Sequence, residues 1–552
     1  MDNWAPFDLP LEVHPDKGLI TYLARQFNIE PVLMHHLYVH GLKDEEALSV
    51  FLFPSLKDLH DPFLLNDMQK AVFRIARAIQ RRERILIFGD YDVDGISSTA
   101  LLYQCLKMFK ANIDYRLPTR SEGYGLSALA VELFPSDIAL IITVDNGSSA
   151  HDAMGVAKRK GIDVIVTDHH EILGGNPDCL AFINPKRSDN SYPFTGLSGA
   201  GVALKLVQAL FRAAKLDWTT YAPQFLELAS LGTKADLMPL NGENRIICWF
   251  GLRKMNTRPQ PLLKKLFTTL KVNYVDSSTI GFQIGPILNS CGRIDDPNRA
   301  VRALVNPTPS DQELCELIDL NKKRQELTSI QFRQIAQKIV ENQWYKQKVI
   351  VVNGEFENGI IGIIASRITN SFKKPAIVIS QNGTGSARSV NGTNFSIIDV
   401  IQKSSEHLTK YGGHQAAAGL SIDLSKFYAF NLSVQEAAKE QQLISPKVNY
   451  IGNISLSDFP IHLFDDLSAL EPFGVAFPKP LFYSSPMVIK QYQTFGKNNE
   501  HLKLFIKKRE AQAFFQGEFS SKLQGFSLTE LLYTPNCIKK KNFLINDLRI
   551  AK

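Results

Sequence analysis

The sequence predicts an α/β protein with two lobes and a small C-terminal β-barrel. In the first half of the chain, short β-branched apolar runs alternate with helical patterns, which is typical of a parallel sheet covered on both faces. A capping-box signature at Ser310 opens about thirty residues without Gly or Pro, which predicts a long helix between two α/β units. Beyond residue 448, short alternating strands rich in aromatic residues favour a barrel.

These patterns divide the chain into an N-terminal extension, a first α/β lobe, a connecting helix, a second α/β lobe and the barrel. The five segments are residues 1–50, 51–305, 306–345, 346–440 and 448–552. In the first lobe a helix is predicted at 68–80, and strands at 84–88, 139–144 and 162–167. In the second lobe, strands at 349–352 and 376–380 flank a helix at 360–372.

Composition indicates an ordinary folded protein of several domains. Of 552 residues, 44% are hydrophobic and 21% are charged. No apolar stretch approaches the roughly 18 to 20 residues of a membrane span, and the start lacks a basic n-region and an apolar h-region, so we expect a cytoplasmic protein. The six cysteines are scattered without a CxxC pair, which argues against disulfides and against a thiolate zinc site.

The net charge of +7 is located at one end of the chain. From Lys490 onwards there are 12 Lys and Arg against 5 Asp and Glu, so the remainder is balanced. A local basic surface on a neutral body fits a module that binds a polyanion. The alternative, which charge alone leaves open, is a set of solvated lysines on an ordinary surface.

Acidic residues follow three successive predicted strands. Asp90, Asp92 and Asp94 lie in Gly-Asp-Tyr-Asp-Val-Asp-Gly, Asp145 ends the next strand, and Asp168-His169-His170 ends the third. Because the carboxyl ends of parallel strands meet in one crevice, these side chains should converge there. Such concentrated negative charge requires a cation, and carboxylates mixed with imidazole favour Mn²⁺ or Mg²⁺. A fourth acid, Asp236, follows a helical pattern at 225–231.

Each of these motifs also has an ordinary interpretation when it is taken alone. Asp145 could cap a turn, the His pair could lie on the surface, and the triple-Asp segment could be a calcium-type loop. An EF-hand loop is excluded because its required Glu is replaced by Leu102. After Gly95, the residues around Ser98 open a helix whose free N–H groups could face a phosphate.

The four acidic motifs resemble, in order and spacing, those of the DHH phosphoesterases. They read DYDVDG, VDNG, DHH and GTKAD, and Tyr411–Gly419 resembles the GGH motif of the accompanying DHHA1 domain. Without that resemblance, Gly412–Gly419 could be a closely packed helix start. The segments 286–293, 359–367 and 470–474 resemble the RecJ family of bacterial single-strand-specific exonucleases. The resemblance covers roughly residues 50 to 552.

The resemblance implies two Mn²⁺ or Mg²⁺ ions and a role for each motif residue. The implied metal ligands are Asp92, Asp94, Asp145, His169 and Asp236, with Asp145 between the ions and Asp90 as a further acidic candidate. His170 would lie near the scissile phosphate, and Asp168 would orient the neighbouring imidazoles. Contacts to the substrate are implied for Ser98, Arg293, Arg367, Arg388, Ser389, Gly412, Gly413 and His414.

The implied activity is 5′-to-3′ hydrolysis of single-stranded DNA in recombination and repair, by a strand threaded between the lobes. The barrel resembles an OB-fold, with aromatic and basic residues suited to stacking bases and pairing phosphates. These are Phe482, Tyr483, Tyr492, Phe495, Phe514, Phe515 and Phe519, with Lys497, Lys503, Lys507, Lys508 and Arg509. We expect fewer than half of the rings to touch DNA, a monomer without membrane contact, and a single-strand-binding protein and a RecQ-type helicase as candidate partners.

Two other functions compete with this interpretation. A DHH–DHHA1 enzyme for short oligonucleotides would be shorter and lack the basic module, and a non-catalytic single-strand-binding scaffold would have lost ligands. A pyrophosphatase is disfavoured by the length and by Phe88, where such enzymes carry a ligating His. The chain departs from the family at Phe356-Glu357-Asn358, which should alter the surface between the lobes, and at Ala476-Phe477-Pro478, which concerns the orientation of the barrel.

Overall fold

The computed structural model describes residues 16–444, 450–496, 499–523, 527–536 and 542–551. It confirms the two-lobed α/β architecture with a C-terminal β domain. In the described ranges, no helix is long and apolar enough to cross a membrane.

The first lobe is built on a five-stranded parallel sheet. Three helices precede it, α1 (Lys17–Phe27), α2 (Pro31–Val39) and α3 (Glu45–Leu52). The sheet region then runs α4 (Met68–Arg81), β1 (Arg84–Phe88), α5 (Val93–Met108), β2 (Asn112–Arg116), α6 (Ala128–Glu132), β3 (Ile138–Val144), α7 (His151–Arg159), β4 (Asp163–Thr167) and β5 (Ala181–Ile183). The strand order is β2-β1-β3-β4-β5.

Strand β1 explains why this sheet is parallel and covered on both faces. Ile85 and Ile87 pack into one hydrophobic core, whereas Leu86 and Phe88 pack into another. Successive side chains of a strand point to opposite faces, so a continuous apolar run requires a cover on each side. The predicted strands 84–88, 139–144 and 162–167 agree with β1, β3 and β4 to within a residue.

A helical layer completes the first lobe. It contains α8 (Gly199–Ala213), α9 (Trp218–Ala235), α10 (Gly242–Thr257), α11 (Pro261–Thr269), α12 (Ser277–Thr279), a π-helix (Ile280–Ile284), α13 (Gly285–Ile294) and α14 (Asn298–Val305). The connecting helix α15 (Asp311–Glu341) starts as predicted, because the Ser310 hydroxyl accepts from the Glu313 N–H and the Glu313 carboxylate accepts from the Ser310 N–H. The main-chain N–H groups of Ser310 and Glu313 are thereby hydrogen-bonded at the start of the helix.

The second lobe has a five-stranded mixed sheet. Its elements are β6 (Ile350–Gly354), α16 (Ile361–Phe372), β7 (Ala376–Ser380), β8 (Thr384–Arg388), α17 (Ile397–Lys403), β9 (Leu408–His414), β10 (Ala417–Ile422) and α18 (Phe427–Lys439), with strand order β6-β7-β8-β10-β9. The alternative interpretation of Gly412–Gly419 as a helix start is wrong. This segment belongs to the β9–β10 hairpin, and β9 is an edge strand of the sheet.

The C-terminal domain is a seven-stranded sheet with one short helix. It contains β11 (Gly452–Asn453), α19 (His462–Ala469), β12 (Phe482–Val488), β13 (Gln491–Phe495), β14 (His501–Ile506), β15 (Arg509–Ala513), β16 (Leu528–Asn536) and β17 (Asn542–Ile550), in the order β11-β12-β16-β17-β15-β14-β13. Buried rings, among them Phe459, Phe482 and Tyr533, form its core.

The N-terminal helices share this C-terminal core. Leu33 and Leu37 of α2 are fully buried in the same cluster as Phe464 and Phe477. The ring of His36 hydrogen-bonds the Pro478 carbonyl at 3.0 Å. The N-terminal segment therefore packs as part of the barrel domain although more than 400 residues separate them in sequence. The bounds of the five segments remain a prediction.

Candidate metal centre

The acidic loops meet where the strand order of the first sheet reverses. The chain leaves β1 to form β2 on one side and later returns to form β3 on the other. Loops that leave adjacent strands in opposite directions open a crevice at the carboxyl edge, which is where ligands bind in open α/β sheets. Asp90, Asp92 and Asp94 follow β1, Asp145 follows β3, and His169 follows β4.

Helix α5 begins earlier than the sequence pattern suggested. Asp92 is its N-cap, and its carboxylate accepts from the N–H groups of Asp94 at 2.8 Å and Gly95 at 3.2 Å. The N–H groups after Gly95 are not free to face a phosphate as expected, because α5 already begins at Val93 and the Ile96 N–H donates to the Asp92 carbonyl at 2.8 Å. Ser98 is fully buried and donates to the Asp94 carbonyl at 2.6 Å, so its hydroxyl is engaged within the helix.

The structure brings all six candidate ligands into one cluster. The Nε2 atom of His169 lies 3.1 Å from Asp145, 3.6 Å from Asp236 and 3.7 Å from Asp94, measured to carboxylate oxygens. Asp90, Asp92 and Asp145 form a second group whose ligand atoms lie within 4.8 Å of one another. Asp145 occurs in two of the three groups of possible ligands, with Asp90 and Asp92 and with His169 and His170, which is the arrangement expected of a residue between two ions.

Helices α8 and α9 hold Asp94 in place. The first two N–H groups of α8, from Gly199 and Ala200, donate to the two Asp94 carboxylate oxygens at 2.7 and 2.9 Å. On α9, Gly232 faces the same carboxylate so closely that a Cβ there would lie 2.2 Å from Oδ1. Because these contacts join residues more than 100 positions apart, no local pattern signals them.

The donor set of the cluster is buried and in part lacks hydrogen-bond partners. Among the described residues, buried atoms without a hydrogen-bond partner include Asp90 Oδ1, Asp145 Oδ1 and His169 Nε2. A buried polar atom without a partner is costly unless another group binds it. Unpaired carboxylate oxygens beside an imidazole nitrogen are ligands that Mn²⁺ and Mg²⁺ accept, so the residues present fit such ions.

The electrostatics of the cluster favour binding of a cation. Burial, and then repulsion by neighbouring carboxylates, raises the pKa of Asp90, Asp94 and Asp145 well above the usual range. Burial and the charge of Asp92 raise the pKa of Asp236 to about 7. Burial lowers the pKa of His169 to about 3, which keeps its ring neutral and able to donate an electron pair.

His170 and Asp168 form a separate pair beside the ligands. The Nδ1 atom of His170 lies 2.8 Å from Asp168 Oδ1, and the N–H of Ser148 donates to the other oxygen at 2.9 Å. Burial opposes both shifts, but the hydrogen bond and opposite charge outweigh it, so the pKa of His170 rises to about 9 and that of Asp168 falls. The imidazole of His170 can therefore carry a proton near pH 7.

Arginines collect between the two lobes. Arg293 on α13 donates to the Gly359 carbonyl at 2.9 Å, and Arg120 donates to the Gly292 carbonyl at 2.9 Å. Burial, and then the charges of Arg120 and Arg324, lowers the pKa of Arg293 to about 10. Arg293 and Arg388 donate to the main-chain carbonyls of Gly359 and Ala387, contacts that leave their positive charge uncompensated.

The other predicted substrate residues lie in the second lobe. Arg388 ends β8 and donates to the Ala387 carbonyl, and Arg367 on α16 contacts the Ser329 hydroxyl of α15 at 3.3 Å. Gly412, Gly413 and His414 lie exposed on edge strand β9. Ser389 is buried and donates to the Phe395 carbonyl at 2.8 Å, so its hydroxyl supports the loop.

Both departures from the family pattern have a structural location. Phe356 and Glu357 line a cavity of about 720 Å³ between the lobes, together with Arg120 and Arg293. Phe477 stacks on Phe473 at 5.4 Å, with Ala476 before it in a left-handed backbone conformation. The first departure therefore changes the wall of the inter-lobe cavity, and the second contributes to the core under the barrel.

The C-terminal domain exposes some predicted aromatic residues and buries others. Phe482 is fully buried, whereas Phe514 and Phe515 are 44% and 83% exposed. The exposed rings contact His501, which also contacts Phe495. Of the basic residues, Lys503 pairs with Glu510 and Lys507 with Asp458, Lys508 is exposed, and Lys497 lies outside the described residues.

Three family models match this chain. They are the DHH family, N-terminal domain at residues 84–233, the DHHA1 domain at 346–440, and the RecJ OB domain at 452–542.

Curated relatives agree over most of the chain. The single-stranded-DNA-specific exonuclease RecJ of Bacillus subtilis is 33% identical over 527 residues, which cover 92% of this chain and 66% of that protein. The protein of the same name from Haemophilus influenzae is 32% identical over 518 residues, which cover 88% of each chain.

A solved structure has the same fold. The crystal structure of RecJ in complex with Mn²⁺ from Thermus thermophilus superposes with a TM-score of 0.83 at 26% identity, covering 98% of this chain and 78% of that one.

Proposed function

Because the chain belongs to the RecJ family of single-stranded-DNA-specific exonucleases, we propose that it removes nucleotides from the 5′ end of single-stranded DNA with two divalent ions. The observation that carries the proposal is the buried donor set at the β1/β3 crevice, whose unpaired oxygens and nitrogen need a cation. No candidate ligand is missing, which disfavours a non-catalytic scaffold.

The ligands we assign are Asp92, Asp94, Asp145, His169 and Asp236, with Asp90 as the additional acidic group. The ions are Mn²⁺ or Mg²⁺, because the donors are carboxylates and imidazole without thiolate. When bound, two such ions activate water and neutralise the charge that develops on the departing 3′ oxygen. Helix α8 keeps Asp94 oriented for this role through its first two N–H groups.

His170 is the group we assign to proton transfer. Its raised pKa keeps it protonated near pH 7, and Asp168 fixes the Nδ1 side of the ring. The ring can then donate a proton to the departing 3′ oxygen of the cleaved nucleotide. Asp168 stays ionised and stabilises the positive ring, which is an orienting and electrostatic role.

We propose that the DNA strand binds in the cleft between the lobes and on the barrel. Arg293, Arg388 and Arg367 supply positive charge on opposite sides of this cleft, and guanidinium groups bind phosphate through paired hydrogen bonds. On the barrel, Phe514 and Phe515 offer exposed rings for base stacking. A barrel with this surface favours long single strands over the short oligonucleotides of the competing proposal.

The cellular setting belongs to the same proposal. We propose a cytoplasmic monomer that acts in DNA recombination and repair, supplied with substrate by a single-strand-binding protein and a RecQ-type helicase. A helicase would create the single strands that the proposed activity requires.

A time course on end-labelled single strands tests this function. With Mn²⁺, we expect the 5′ label to appear at once as mononucleotide while the 3′-labelled strand shortens progressively, and we expect EDTA to stop both. Early release of the 3′ label, or internal cleavage, would contradict the proposal.

Asp145→Ala tests the metal assignment in the same assay. The variant should lose turnover but still bind single-stranded DNA, because the substitution removes a ligand that belongs to two of the three groups in the cluster. Asp152→Ala on α7 is a matched control, since Asp152 is an exposed acid outside the cluster. Turnover by Asp145→Ala at the wild-type rate would refute the assignment.

A further inference from the structure

The loop between β2 and α6 places a tyrosine against the catalytic cluster. Tyr124 stands between two glycines, and both have left-handed backbone conformations, with φ of +96° at Gly123 and +69° at Gly125. Non-glycine residues rarely adopt these conformations, so the flanking residues are suited to aim this one side chain. The proposed function gives Tyr124 no role.

The hydroxyl of Tyr124 joins two residues of the site. It donates to the main-chain carbonyl of Asp145 at 3.1 Å. The same oxygen lies 3.1 Å from Nδ1 and 3.3 Å from Nε2 of His170. The two rings meet edge to face, with centroids 5.6 Å apart and an interplanar angle of 72°.

The hydrogen bond to Asp168 alone does not fix the orientation of the His170 ring. Its side chain is 44% exposed, and its hydrogen bond to Asp168 holds only the Nδ1 atom. A ring anchored at one atom can pivot about that contact. The Tyr124 hydroxyl lies within 3.3 Å of both ring nitrogens and its ring packs edge to face on the imidazole, so Tyr124 limits this motion.

We propose that Tyr124 is a positioning residue that fixes the imidazole of His170 relative to Asp145. The inference rests on the proposed function, since it assigns a cause to the orientation of the proposed proton donor. Through the Asp145 carbonyl, the orientation of the proton donor is tied to a residue that belongs to two of the groups of possible metal ligands.

The loop is anchored well enough to serve this purpose. Before Tyr124, Glu122 accepts from the Thr119 N–H at 2.8 Å and pairs with Arg116. After it, Leu126 is buried in the core under the sheet. Because both ends are held, the hydroxyl can keep a fixed position without a hydrogen bond of its own to the loop.

Tyr124→Phe isolates the hydroxyl because it retains the ring. We expect kcat on single-stranded DNA to fall about tenfold, a part of the roughly 10² to 10⁴ that a proton donor contributes. The KM for DNA and the Mn²⁺ concentration for half-maximal activity should change less than about twofold, since the variant removes no ligand. Tyr221→Phe on α9 is the control for loss of a tyrosine hydroxyl away from the cluster.

A double-mutant cycle separates positioning from general packing. In a His170→Ala background, Tyr124→Phe should have no further effect on kcat, because the residue through which it acts is gone. On a substrate with a 3′-bridging sulfur, which departs without a proton, the Tyr124→Phe defect should disappear. Independent, multiplicative effects in the cycle, or an equal defect on the sulfur substrate, would overturn the inference.

The outcomes distinguish this inference from the function on which it rests. A wild-type protein without 5′ exonuclease activity would refute the proposed function. An active wild type with Tyr124→Phe at the same kcat would refute only the role of Tyr124. A crystal structure of metal-free Tyr124→Phe gives a readout without turnover, and an unchanged, fully ordered His170 ring would also count against the inference.

Discussion

Gly232→Ala should inactivate the enzyme while leaving it folded. Gly232 lies on α9, where the helix passes the metal ligand Asp94. An added Cβ would lie 2.2 Å from Asp94 Oδ1 and 2.7 Å from both Ser97 Oγ and the Cβ of Ala200. Real Cβ atoms essentially never approach other heavy atoms this closely, so the carboxylate or the helix must move by about 1 Å.

The expected effects on stability and catalysis differ in size. Overpacking costs about 1 to 3 kcal/mol, whereas replacing a glycine within a helix gains about 1 kcal/mol, so the net loss of stability is about 0 to 2 kcal/mol. A displacement of about 1 Å at a reacting site can cost about 10²-fold in rate. Asp94 cannot adapt freely, because two N–H groups of α8 already hold both of its oxygens.

Three measurements on the purified variant check this prediction. We expect kcat on single-stranded DNA to fall at least about 10²-fold, calorimetry to show weaker Mn²⁺ binding, and thermal unfolding to stay cooperative. Gly155→Ala on α7 is the matched control, since the nearest atom to its Cβ would be Arg159 Nη1 at 3.9 Å. Wild-type turnover and wild-type Mn²⁺ affinity in Gly232→Ala would refute the argued geometry.

Three further predictions concern pH, the domain contact and the barrel. The increase in Tm on adding Mn²⁺ should grow from pH 6 to pH 8. Because the pKa of Asp236 is raised to about 7, the metal-free fold loses stability as the pH rises through 7. Over the same range, protons cease to compete with Mn²⁺ for the ligands. A constant increase across this range would contradict it. Arg245→Met should lower the free energy of unfolding in urea by about 3 kcal/mol, because the buried guanidinium donates to the Phe51, Leu470 and Pro472 carbonyls. The control is Arg253→Met, at an exposed position on α10, which should change the free energy of unfolding little. Phe515→Ala should weaken binding of single-stranded DNA by about 1 to 3 kcal/mol without changing kcat at saturating DNA, because the exposed ring would stack on a base. Unchanged binding in fluorescence anisotropy would exclude this ring from the DNA-binding surface.

The acidic cluster could be predicted from sequence because it follows from one topological rule. Each ligand except Asp236 follows the end of a short buried strand, and parallel strands bring their ends to one edge. The long helix could be predicted because its capping box is local, with donor and acceptor three residues apart.

Contacts between distant segments could not be predicted in this way. The hold of α8 on Asp94 and the approach of Tyr124 to His170 depend on tertiary packing, which leaves no periodic pattern. The N-terminal helices show an apolar face, but the sequence does not indicate that the C-terminal domain covers it. Strand β9 could not be predicted for a different reason. Gly412 and Gly413 have little preference for any secondary structure, and pairing with β10 makes the segment a strand.

Anomalous diffraction at the manganese edge, from crystals soaked in Mn²⁺, tests the central claim most directly. The account predicts two peaks among Asp92, Asp94, Asp145, His169 and Asp236, about 3.5 to 4 Å apart, with Asp145 in contact with both. A single peak, or peaks away from this cluster, would contradict the two-metal assignment.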